Sequence, residues 1–357
     1  MEDPALAVSV VVPTYRGARR VARLLEELEH QTLPADRFEV VVVDDASPEG
    51  LDLPDVPGHL RVLRQAQNGG PAVARNTGLA VARGTVVAFT DDDCSPDPTW
   101  LEELLAGFTD EGVLGVAGLM EPYAESGPGV AFDFQRAQNP WGPISGELEE
   151  DQGRAHRLWI YLRSQLSDDR GPTSGDTTFA AAGGNTAFLR EELVAAGGFR
   201  TDLRTAEDIE VCMRMRRLHP DRRLVYRPEA RVAHRIDGSA RTLVHRYRVW
   251  GMGLLDFGRA TGAAPVVYPW PVLVGAALVA GRARPRATAL AAALPLAAYG
   301  RWTRRAVRER EPRALLFCYL QLATEGASDL GLAQAVLASW RGDGDTVGAA
   351  TLTRYAR

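Results

Sequence analysis

Three consecutive carboxylates, Asp91-Asp92-Asp93, follow directly on the short apolar run Val86-Val87-Ala88-Phe89-Thr90. Adjacent aspartates repel one another, so keeping them together is costly unless positive charge sits among them. Divalent metal meets that need, because Mg²⁺ and Mn²⁺ prefer oxygen ligands and often share them with phosphates. The plainer alternative is an acidic turn after a strand. Further acidic pairs occur at Asp44-Asp45, after the Val-rich run Phe38–Val43, and at Glu207-Asp208, which open a stretch of helical character.

These groups need a frame to hold them. Residues 7–13 are an almost continuous apolar run rich in β-branched side chains, as expected of a parallel strand covered on both faces. Helical spacing follows at Val21, Leu24, Leu25 and Leu28. With the strand Phe38–Val43 this makes a β-α-β start with polar residues at the carboxyl ends of its strands, where open α/β sheets bind ligands. A short strand at 59–63, a helix over 71–82 with Pro71 in its first turn, and a strand at 85–89 come next. Trp100, Leu101, Leu104, Leu105 and Phe108 predict an amphipathic helix, and Val113–Met120 a strand.

From Glu121 to about Gly171 the pattern is irregular, with aromatics at Phe132, Phe134, Trp141, Trp159 and Tyr161, and reads as variable substrate-binding architecture. Order returns at Gly183–Arg190, with helices over 191–196 and 207–215, a strand at 222–226 and an Arg-rich helix over 241–258.

Composition narrows the class. The 357 residues carry 24% charged side chains and a net charge of −5, which argues against a globally basic nucleic-acid binder. Cys94, Cys212 and Cys318 lie far apart, with neither a disulfide framework nor zinc-ligand spacing. Glu2 and Asp3 stand where a signal peptide carries basic residues, so the catalytic part is expected in the cytoplasm.

The ordered set resembles the family 2 glycosyltransferases. The residues that carry the likeness are Val11-Val12-Pro13-Thr14-Tyr15, Val43-Asp44-Asp45-Ala46-Ser47, Asn68-Gly69-Gly70-Pro71 with Ala74-Arg75-Asn76, Thr90-Asp91-Asp92-Asp93, Gly184-Asn185, Gly197-Gly198-Phe199, Glu207-Asp208 and His234. It covers roughly residues 7 to 250. The resemblance implies the GT-A nucleotide-sugar-binding fold, a Rossmann-like α/β architecture with a mostly parallel central sheet flanked by helices, here with a helical C-terminal extension. It implies that Pro13, Thr14 and Tyr15 line the nucleotide pocket and that Asp44 or Asp45 accepts hydrogen bonds from base or ribose. Arg75 would contact the donor's nucleotide part, and Gly183, Gly184 and Asn185 would pass beneath the donor sugar. Asp93 would hold Mn²⁺ or Mg²⁺, with Asp91 on the ribose or beside the metal and His234 helping to bind metal or diphosphate. Asp92 falls in the cofactor-binding set without an assigned role. Asp208 would be the general base toward the acceptor hydroxyl, supported by Glu207, in direct displacement that inverts the anomeric centre. Partners so implied are a UDP-, GDP- or dTDP-sugar and a hydroxyl-bearing glycan, lipid-linked or small-molecule acceptor, with a homo-oligomer left open.

Domain boundaries are expected at 1–258 for the catalytic domain (1–120 nucleotide-binding, 121–258 acceptor-binding), 259–340 for an apolar, Arg-rich helical region and 341–357 for a flexible tail. Thr261–Gly281 and Ala287–Gly300 contain no charged residue, and arginines flank both. They read either as a membrane-attached helical hairpin at the cytoplasmic face or as soluble helices packed on protein. A sugar nucleotidyltransferase is the alternative enzyme, although no phosphate loop is evident, and a non-catalytic membrane-associated scaffold or sugar-binding protein is the alternative outside enzymes.

Overall fold

A computed structural model describes residues 6–51, 53, 60–123, 154–166, 174–178, 182–235, 239–265 and 267–341. Phe132, Phe134, Trp141, most of the irregular 121–171 stretch and the tail beyond 341 lie outside the described residues. The strands are β1 Val8–Thr14, β2 Phe38–Asp44, β3 Leu60–Arg64, β4 Val86–Thr90, β5 Cys94–Pro96, β6 Val113–Pro122, β7 Thr177–Thr178, β8 Asn185–Leu189 and β9 Arg223–His234. The helices are α1 Ala18–Leu28, α2 Pro71–Val81, α3 Trp100–Ala106, α4 Arg154–Leu166, α5 Arg190–Ala195, α6 Glu207–Leu218, α7 Ala240–Thr261, α8 Pro269–Gly281, α9 Pro285–Ala298, α10 Gly300–Arg308 and α11 Ala314–Trp340.

Among the described residues the strands form one sheet in the order β3-β2-β1-β4-β8-β6-β9-β5, with β7 added on β9. The first four strands are parallel; β8 then runs against both β4 and β6, while β6 and β9 are parallel. This is the α/β architecture expected from the sequence, and the antiparallel pairing in its second half is an addition of the structure. Strand β1 is buried along its whole length because alternate side chains enter different cores. Val10 and Val12 pack with Val21, Leu24, Ala88 and Trp100 on one face, and Val11 with Val41, Leu79, Phe89 and Phe199 on the other.

Two features differ from the expectation. The strand predicted to end at Tyr226 continues to His234, passing Pro228 through a register shift in which Gly118 pairs with Arg227 and Leu119 with Arg231. A bulge is where a proline can sit in a strand without breaking the ladder. Cys94–Pro96, between the strand predicted at 85–89 and the helix predicted from Trp100, forms β5, whose Cys94 pairs with His234 across an antiparallel ladder.

The chain divides into two compact units, one drawn from Met1–Ala124 and Gly171–Ile236, the other from Glu125–Arg170 and Asp237–Thr351. The compositional boundary at 258 falls inside α7. In the second unit Tyr299, Trp302, Phe317 and Cys318 form a core, and the buried Glu325 carboxylate accepts hydrogen bonds from Tyr161 and Tyr299 hydroxyls and the Gln321 amide. Among the described residues no helix is long and apolar enough to cross a membrane.

Candidate active site

The carboxyl ends of β1, β2 and β4 bring the predicted polar residues together, since parallel strands in register end at one edge and Thr14 pairs with Asp44. Just past β4 the three aspartates part company. Asp91 accepts a bond of 3.0 Å from Arg75 Nη2. Asp92 is buried and turns back toward β1 and α1: its Oδ1 accepts from Arg20 Nε at 2.8 Å, and its Oδ2 accepts from the Thr14 hydroxyl. Burial pushes the Asp92 carboxyl up against the opposing pull of Arg20 and Thr14. Asp93 Oδ1 lies 2.9 Å from His234 Nε2. Burial opposes its charge too, but the His234 contact and the field of Arg20 outweigh it and hold the carboxyl below its ordinary range.

Arg75, the residue expected on the nucleotide, is only 4% exposed and bridges two carboxylates. Nη1 donates to Glu207 at 2.7 Å and Nη2 to Asp91, while the guanidinium lies 5.7 Å from the Phe199 ring centroid. Burial lowers its pKa, and Asp91, Glu207 and Asp208 more than reverse that, so it stays charged. Its neighbour Asn76 fixes the loop before α6, with Nδ2 donating to the Phe199 carbonyl and Oδ1 accepting from the Phe199 amide.

Asp208 lies in the first turn of α6, where the helix N-terminus favours negative charge. The Gly183 amide donates to Oδ2 and the Ile209 amide to Oδ1, both at 2.9 Å. Loss of water and the charge of Glu207 win over these bonds and over Arg75, and its pKa is pushed up to about 6. Gly183 is required by close approach, because a Cβ there would stand 2.7 Å from Arg75 Nη2. A partly buried carboxylate poised near neutrality has the properties of a general base.

The remaining predicted residues fall into two groups. Tyr15 is partly exposed beyond the buried Pro13, and Gly184 passes close to Asp91, whose Oδ2 would lie 3.0 Å from an added Cβ. Asp44, Asp45 and Asn185 are engaged internally. Asp44 accepts from the Ser47 amide, and Asp45 accepts from the Gly69 and Gly70 amides, thereby holding the loop before α2. Asn185 is fully buried, with Nδ2 donating to the Leu119 and Ala230 carbonyls and Oδ1 accepting from Trp100 Nε1. Its amide is filled by protein groups, so it ties β6, β8, β9 and α3 together. Arg20 escaped the sequence reading because a cation on the polar face of an amphipathic helix carries no local signal of its partner.

Asp93 and His234, with Cys94, form a group whose potential ligand atoms lie within 4.8 Å of one another. A carboxylate oxygen beside an imidazole fits a divalent ion such as Mn²⁺. Burial and the charges of Asp91 and Asp93 push the Cys94 thiol well up, and sulfur is a softer donor than Mn²⁺ or Mg²⁺ prefers.

Comparison with known proteins agrees with this frame. Residues 9–164 match the family described as Glycosyl transferase family 2. Glycosyltransferase AglE of Haloferax volcanii is 29% identical over 173 residues, covering 46% of this chain and 55% of that protein. The pre-mycofactocin glycosyltransferase of Mycobacterium tuberculosis is 29% identical over 248 residues, covering 68% of this chain and 46% of that protein. The chain thus spans about half the length of these relatives. Among solved structures, the mannosyltransferase PcManGT from Pyrobaculum calidifontis, in complex with GDP-Man and Mn²⁺, superposes with a TM-score of 0.52 at 22% identity, covering 94% of this chain and 88% of that one. That likeness establishes the shared fold.

Proposed function

We propose, for a chain that carries a glycosyl transferase family 2 domain on the GT-A fold, that it moves a sugar from a nucleoside-diphosphate-sugar to a hydroxyl acceptor with inversion at the anomeric carbon. The observation that carries the reading is Asp208, with a pKa pushed up to about 6 and an anchored orientation beside the Arg75–Glu207 pair. Such a carboxylate takes the proton of the attacking hydroxyl while the Gly183 and Ile209 amides keep it oriented and the charges of Glu207 and Arg75 tune its pKa. Pro13, Thr14 and Tyr15 line the nucleotide end of the site, which Asp44 and Asp45 shape through the loops they hold, and Gly184 passes beneath the donor sugar. Asp93 and His234 would hold Mn²⁺ or Mg²⁺, which supplies neutralisation of the charge on a departing diphosphate.

The donor is a UDP-, GDP- or dTDP-sugar, and the acceptor a lipid-linked or cell-envelope glycan or a small natural product. The reading assigns the reaction to the cytoplasm, in keeping with three buried cysteines that form no disulfide, and to the membrane face. The test is Asp208→Asn with a nucleotide-sugar panel and Mn²⁺ or Mg²⁺. Turnover should fall on the order of a hundred- to ten-thousand-fold with donor binding retained. Full turnover in the variant would remove Asp208 from the mechanism.

A further inference from the structure

The second unit carries an apolar surface that the transfer chemistry does not use. Helix α8 is apolar around its whole circumference, yet only Val274 and Gly281 of it are buried. A helix of that kind belongs in a protein core or in lipid. Here Val272 is 64% exposed and Val279 62%, and across the turn Leu290 of α9 is 73% exposed. The surface continues onto α11, where Leu315, Leu316 and Tyr319 are exposed and the Tyr319 hydroxyl donates to the Ala292 carbonyl of α9. Between α8 and α9 runs a shallow groove of about 660 Å³, lined by Ala277, Ala280, Leu290, Leu294 and Ala297 among others, with Arg284 its one charged lining residue.

Charge decides what covers this face. From Thr261 to Arg308 there is no acidic residue, and the α8–α9 turn presents Arg282, Arg284 and Arg286, all exposed and, among the described residues, without a carboxylate partner. A second copy docked face to face would offer the arginines no counter-charge, because its own Thr261–Arg308 stretch holds no acidic residue. An anionic lipid surface answers both features, with phosphates at the arginines and acyl chains against the valines and leucines. Spanning is ruled out for α8 and α9 alone: at 13 and 14 residues they reach about 20 Å, against about 30 Å of hydrocarbon.

We infer that the α8–α9 hairpin lies in the interface of an anionic bilayer, seated by its outward valines and leucines and held by Arg282, Arg284 and Arg286. This deepens the membrane-face part of the proposed function, and its test does not depend on catalysis.

Full-length protein would be floated with vesicles of phosphatidylcholine alone and of phosphatidylcholine with phosphatidylglycerol. Binding should favour the anionic vesicles and weaken as salt rises. The triple variant Arg282→Gln/Arg284→Gln/Arg286→Gln, confined to exposed side chains, should lose on the order of a hundredfold in partitioning to anionic vesicles. Val272→Ser/Val279→Ser/Leu290→Ser should detach the protein from both. Donor hydrolysis in lipid-free buffer should be unchanged in both variants, which separates failure of this surface from failure of the transferase reading. Equal binding to neutral and anionic vesicles, or no binding to either, would overturn the inference. So would a wild-type dimer that the serine variant makes monomeric, which would assign the face to a second copy.

Discussion

Asp91, Asp92 and Asp93 are chemically identical and adjacent, yet each faces a different partner: Arg75, the Arg20–Thr14 pair, and His234. Asp92 is thereby a tie between the end of β4 and the start of α1. Because Asp92 is buried, Arg20→Ala should cost about 1–3 kcal/mol in urea denaturation by leaving a carboxylate without its guanidinium, although Arg20 itself is half exposed. Adding Asp92→Asn to that variant should recover part of the loss, a coupling that a surface ion pair would not show.

Asp208 makes two further predictions. As a base it must be deprotonated, so kcat/KM should rise with pH through about 6 and level off above it. For stability the sign is opposite. Its folded-state pKa is raised from 3.8, so its contribution is fully present below the unfolded value and lost as pH rises through about 6. Asp208→Asn should therefore melt no lower than the native protein near pH ~8, and the difference should vanish near pH ~4. A carboxylate kept for structure would melt lower when neutralised.

At the scale of elements, the Asp93–His234 pair depends on strands that meet late in the chain. Asp93 and His234 are 141 residues apart and are joined because β5 pairs antiparallel with the far end of β9. β9 reaches that point through its shift against β6 at Gly118. A Cβ on Gly118 would stand 2.4 Å from the Ala230 carbonyl and from the Asn185 amide that links β6, β8 and β9. Gly118→Ala should cost about 1–3 kcal/mol in urea denaturation, since backbone and a fully bonded side chain cannot both give way. Periodicity revealed β1, α1, β2 and α2 almost to the residue, because each is long and buried on a regular stripe. It missed β5, three residues ending at Pro96, because nothing local specifies pairing with a strand so distant in sequence.

At the scale of the whole molecule, the sheet-based unit has a core on each face of its sheet, whereas the helical unit is built around Trp302, Phe317 and a buried polar cluster. Glu325→Ala should leave the Tyr161 and Tyr299 hydroxyls and the Gln321 amide without this acceptor, at about 1–3 kcal/mol for each group left unsatisfied. Hydrogen exchange along α11 measures that loss. Hydropathy located the apolar segments of this unit correctly, but it could not show that α8 starts only at Pro269 or which of its side chains face outward.

Sequence by itself determined the α/β order, the carboxylates that end the strands and the Glu-Asp pair that opens α6, because those signals are local: apolar runs, turn glycines and charges at fixed offsets. Tertiary structure alone decided which aspartate does what, that Arg75 serves Asp91 and Glu207, and that Asn185 is an internal tie. The reason is physical. A carboxylate's role follows from the cations, amides and water around it, and in this fold the cations come from 16, 72 and 132 residues away.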